Sequence, residues 1–171
     1  MYICIKNFTM TINELPGNAR VWIYQADRLL TTDEQAFLAE SSLQFVAQWA
    51  AHGTPLTGTA QVLNGYFLII GVDEAQAEAS GCSIDKSVNF VKALGQKLNV
   101  DFFNRLNIAV ETESINLVPL NQFETLVASG TIAATTYVYD NTVTSAADFN
   151  NRWYTQAQNT WLNRYFAKQT A

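Results

Sequence analysis

With 171 residues, 49% of them hydrophobic, 12% aromatic and only 15% charged, the chain can bury a substantial core and is too apolar for disorder. Its net charge of −5 and lack of any Lys/Arg cluster exclude nucleic acid and anionic membrane surfaces as partners. One histidine and two cysteines supply neither metal-ligand spacing nor a disulfide framework, so no metal and no cofactor is expected, and Cys4 and Cys82 read as free thiols.

The start, Met1 to Thr9, lacks the apolar core and cleavage site of a signal peptide, and the longest apolar run, Tyr66 to Val72, is far short of a membrane span. A cytoplasmic protein is expected. Arg20 to Ala26 alternates Val21 and Ile23 with Trp22 and Tyr24 and reads as a strand apolar on both faces, hence central in a sheet. Thr31 and Thr32, with Glu34 and Gln35 three residues on, offer overlapping capping boxes for a helix. Its stripe runs through Leu38, Ser42, Phe45 and Trp49, and Gly53 ends it. Thr57 to Leu63 is a mostly polar strand, Asn64-Gly65 a hairpin turn, and Tyr66 to Val72 a second strand apolar on both faces.

A small-residue loop, Ala79-Ser80-Gly81-Cys82-Ser83, then enters a helix whose cap is placed at Ser83, with Asp85 in its first turn and Val88, Val91, Gly95 and Leu98 along one stripe. Leu106 to Glu111 is the next strand. The order strand, helix, strand, strand, helix, strand is the split βαβ pattern of ferredoxin-like α+β folds, with two helices on one face and the strands at Arg20 and Tyr66 central.

Beyond this core, residues 10–111, the remainder is expected to complete a single domain spanning 1–171. Ile115 to Leu120 and Thr135 to Tyr139 read as strands, and Asn121 with Glu124 caps a short helix. Ser145 with Asp148 starts another, in which Phe149, Trp153, Ala157 and Trp161 recur every four residues. This aromatic-rich extension, 112–171, is expected to cover the sheet's second face, to which Trp22 and Tyr24 are assigned.

Strand directions in that topology bring Arg20, Trp49, His52, Asp73, Glu74, Ser80, Gly81, Cys82, Ser83 and Asp85 to one pole. The leading reading is a binding or interaction domain in which the helix start at Ser80 to Ser83 receives an anion, as backbone donors do in phosphate loops, with Arg20, Trp49 and His52 around it. Its partner would be a small anionic ligand or another protein. The alternative is a thiol enzyme for acyl transfer or hydrolysis: Cys82 as nucleophile, His52 as base, Asp73 or Glu74 orienting the imidazole. A third reading has no pocket and uses the aromatic C-terminal region to form a homodimer. No G-x-x-x-x-G-K-[ST] or G-x-G-x-x-G motif occurs, so nucleotide hydrolysis is not expected.

The segments Arg20-Val21-Trp22-Ile23-Tyr24-Gln25, His52-Gly53, Val72-Asp73-Glu74, Ala79 to Val88 and Trp161 to Phe166 resemble a small family of uncharacterised bacterial proteins that often carry the label "ABC transporter ATPase". The likeness runs from about Glu14 to Phe166. It implies no activity or site residue, and the phosphate loop such a label would require is missing. Members of that family begin near the position of Met10, which implies that Met1 to Thr9 is a disordered extension.

Overall fold

Local signals set most of the elements in the computed structural model, which describes residues 10–167. In chain order these are β1 (Arg20–Gln25), α1 (Thr32–Ala47), β2 (Ala50–Ala51), β3 (Thr54–Pro55), β4 (Thr57–Leu63), β5 (Phe67–Asp73) and α2 (Gly81–Leu98). Beyond them come β6 (Asn107–Glu111), β7 (Ile115–Pro119), α3 (Leu120–Ala128), β8 (Tyr137–Tyr139), α4 (Ala146–Arg152), β9 (Tyr154–Gln156) and α5 (Asn163–Ala167). The α+β class is as expected. Met1 to Thr9, including Cys4, lies outside the described residues.

Helix α1 opens on the capping box read from the sequence: Thr31 Oγ1 accepts from Glu34 N–H, and the Glu34 carboxylate accepts from Thr31 N–H. That carboxylate also takes a fork from Arg28, whose guanidinium donates in addition to Leu98 O at the end of α2. The Arg28 hydrogen bond, then the Thr31 N–H, lower Glu34 to about 2. A depressed carboxylate contributes stability that is present above its unfolded value and is lost as pH falls toward its folded one. Glu34→Gln is therefore expected to flatten the acid side of the stability profile between about pH 4.5 and 2, read by urea denaturation at stepped pH; an unchanged acid limb would contradict this.

Strands β1, β5 and β4 form one antiparallel sheet in that order, and β5 is apolar on both faces as expected. Asn64 and Gly65, at φ 54° and 71°, make the turn between β4 and β5. The expected fourth strand, β6, sits instead in a second antiparallel sheet of order β7-β6-β8-β9. This corrects the split βαβ sheet order and leaves β1 adjacent to β5 but at an edge. Two physical causes act together. The β6–β7 pair closes locally through the turn at 112–114, which costs little chain entropy. The start of β1's outer edge is already taken, because Val21 N–H donates to Thr144 O and Ala146 N–H to Ala19 O.

The cores stack as layers. Leu68, Ile70 and Val72 of β5, with Tyr24 of β1, face α1 and α2 through Leu38, Val46, Val91 and Leu94. The alternate residues Val21, Phe67 and Ile69 face Ala109, Tyr139, Val143, Phe149 and Trp153, so the two sheets pack against each other. Beyond the second sheet, Val110, Val118 and Val138 meet Phe123 and Val127 of α3, with Leu162.

The C-terminal region thus covers the first sheet's second face, but Trp22 and Tyr24 are not on that face. Opposite Ile70 and Leu68 in register, they share the helix side, where Trp22 meets Trp49 edge-on at 5.9 Å and Tyr24 meets Phe103 at 5.6 Å. The four-residue repeat of Phe149, Trp153, Ala157 and Trp161 is likewise not one helix. Helix α4 ends before Trp153, β9 comes next, and Trp161 is 38% exposed with Arg164 over its ring.

Candidate functional site

The helix start at the expected pole is capped at one N–H by its own side chain. Ser80, not Ser83, is the cap: its Oγ accepts from Ser83 N–H at 3.2 Å. Ser83 is buried, its Oγ donating to Ser80 O at 2.8 Å, and its carbonyl accepts from Trp49 Nε1 at 2.9 Å. Trp49 is therefore a buried pin between the end of α1 and the start of α2 rather than a ligand contact. Gly81, Cys82 and Asp85 are exposed on the first turns.

His52 is not at a helix C-terminus. Helix α1 stops at Ala47, and His52 and Gly53, at φ 49° and 82°, form the exposed tip of the small β2–β3 hairpin. Asp73 Oδ1 accepts from Ala75 N–H and Glu74 Oε1 from Ala79 N–H, so both acids organise the loop before α2. Arg20 lays its guanidinium 4.8 Å over the Trp22 ring. Among the described residues no hydrogen bond or ion pair joins Cys82, His52 and Asp73, and no group of three His, Cys, Asp or Glu could hold a metal.

A different place has the geometry of a site. A cleft of about 580 Å³ opens where the two sheets diverge beside the outer edge of β1. Its floor is Val21 to Gln25, one wall is the 138–144 segment, and Asn104, Arg105 and Phe103 border it. In antiparallel pairing, main-chain groups alternate between the two sides of a strand. Val21 N–H points away from β5, to Thr144, and Ala26 N–H points toward β5, to Tyr66 O. The N–H and C=O of Ile23 and Gln25 therefore point outward, into the cleft, and no described residue bonds their N–H groups.

A polar chain fixes the cleft's inner end. Gln25, 6% exposed, donates through Nε2 to Asn107 O at 3.0 Å and accepts through Oε1 from Asn141 Nδ2 at 2.8 Å. Asn141 Oδ1 in turn accepts from Trp153 Nε1 at 3.1 Å. Every member is satisfied, so the chain ties β1, β6 and the end of α4 together without an orphaned buried group. The cleft acid, Asp140, is spent on the N–H and hydroxyl of Thr142. On the helix side, burial pushes the Tyr24 phenol up, partly offset by Ser87 and by the nearby Arg105 charge.

Sequence reasoning missed Gln25, Asn141 and Arg105. The only local signal was an amide ending an otherwise apolar strand, and its partner lies 116 residues away. None of the residues assigned to the pole lines this cleft, nor the shallow 500 Å³ hollow over the end of α2 around Asp27, Lys92 and Phe102. No family model, curated protein or solved structure matches the chain.

Proposed function

We propose that this chain is a binding domain whose ligand enters the cleft between the sheets. The observation that carries the reading is the recessed outer edge of β1: oriented, unspent main-chain groups at Ile23 and Gln25, walled by aromatic side chains. Small-ligand and interaction sites are concave, largely apolar and supplied with a few fixed polar groups, which is the inventory here. The expectation of a ligand or protein partner is kept, and its place moves from the Ser80–Ser83 helix start to this cleft.

The probe is 8-anilinonaphthalene-1-sulfonate, an aromatic anion suited to either place. Saturable one-to-one fluorescence enhancement is expected with the native protein. Val88→Trp, a half-buried cleft residue enlarged into the space, should weaken it about tenfold or more with far-ultraviolet circular dichroism unchanged. Ser80→Ala should leave it unaltered. Loss with Ser80→Ala and none with Val88→Trp would return the site to the helix start and overturn the cleft reading.

A further inference from the structure

Resting on the cleft reading, we infer that the ligand class is an extended acidic peptide that pairs with the outer edge of β1 as an added strand. A flat small molecule could use the aromatic wall, but the main-chain groups of Ile23 and Gln25 repeat at the spacing of every second residue of a strand, about 6.8 Å. An extended backbone matches that repeat, as in peptide recognition by strand addition. The ladder has in fact begun: the 144–146 segment bonds to Ala19 and Val21, then leaves β1 and opens the cleft over the next residues. A peptide of about four residues continues where that segment departs.

Charge selects the peptide. In a chain of net charge −5 with ten Lys and Arg, Arg105 is the one cation in the cleft's lining, and Arg20 and Lys92 stand outside that lining beside aromatic rings that belong to it. Arg20 lies 4.8 Å over Trp22, Arg105 lines the cleft together with Tyr24, and Lys92 Nζ is 6.0 Å from the Phe103 ring centre. None of these cations forms an ion pair with a described residue; the pairs between described residues are Arg28–Glu34 and Arg152–Asp148. The neighbouring acids are held in place by neutral donors, Asp140 by Thr142 and Asp101 by Phe103 N–H; Asp140 is the one carboxylate in the cleft's lining and faces the 138–144 wall. Side chains of an added strand alternate between two faces, so acidic residues at alternate positions would reach the cations while apolar ones between them face Val143 and the second sheet.

The test compares two capped hexapeptides, one alternating glutamate with valine and one alternating lysine with valine, by amide-resolved NMR on the native protein. The acidic peptide should bind and slow hydrogen exchange at Ile23 and Gln25 at least tenfold, while the basic one should not bind. Arg105→Glu, an exposed change, should weaken the acidic peptide about tenfold. Ile23→Pro removes an N–H that makes no bond within the sheet and should abolish binding; where that variant does not fold, the exchange readout decides instead. Binding without protection of both amides, or equal binding of the two peptides, overturns the inference. Failure of both peptides while the naphthalene dye still binds and Val88→Trp still blocks it overturns the peptide and leaves the cleft; failure of all three probes removes both.

Discussion

Phe67→Ala is expected to lower the unfolding free energy by about 3–5 kcal/mol, the range for emptying a fully buried aromatic position. Phe67 has no exposed surface and stands where the two sheets meet. Tyr139 packs on its ring at 4.8 Å and Trp153 meets it edge-on at 5.0 Å, contacts that add to simple burial. The cavity cannot collapse easily, because β5 is held by a strand on each side and Tyr139 is anchored through its hydroxyl to Glu111 and Asn64. Urea denaturation followed by tryptophan fluorescence reads the effect directly, since Trp153 abuts the deleted ring. A loss under about 1 kcal/mol would mean that the sheets are not packed together at this point. Ile69→Val, on the same face, removes one methyl group and should cost only about 0.5–1.5 kcal/mol.

That interface also explains which parts of the fold were legible. The Thr31–Glu34 capping box, the Asn64-Gly65 turn and the double-sided apolar run of β5 are decided within a few residues, and each appears as read. The assignment of Trp22 and Tyr24 failed because alternation says only that two residues share a face, not which face the helices occupy. Strand β6 failed for a related reason. Its five residues suit either sheet, and the choice lies with a local hairpin to β7 and with the 144–146 segment occupying β1's edge, a contact more than 120 residues distant in sequence. His52 was misplaced because Gly53 signals a left-handed residue but not the element around it: here a two-residue hairpin tip rather than a helix end. The cleft was illegible for the same cause as β6, since it exists only where the two sheets part.

Truncation after Asp140 is expected to abolish the folded monomer. The deletion removes Val143, Phe149 and Leu162, each buried, whose transfer out of water is worth about 1.5–3 kcal/mol apiece, roughly 5–9 kcal/mol before Trp153 is counted. Whole domains are stable by only about 5–15 kcal/mol. The loss is structural as well as energetic. Strand β8 loses its partner β9, β1 loses the 144–146 segment from its outer edge, and Gln25 loses Asn141. What remains would present Val21, Phe67 and Ile69 as an apolar face next to an uncovered strand edge, the combination that drives association between chains. Size-exclusion chromatography should show aggregated or insoluble protein, and any soluble fraction should lack a cooperative urea transition. A truncated chain that stays monomeric, with native-like circular dichroism and a sharp transition, would show that the two sheets hold together without residues 141–171, and α4, β9 and α5 would then be an appended unit rather than part of the core.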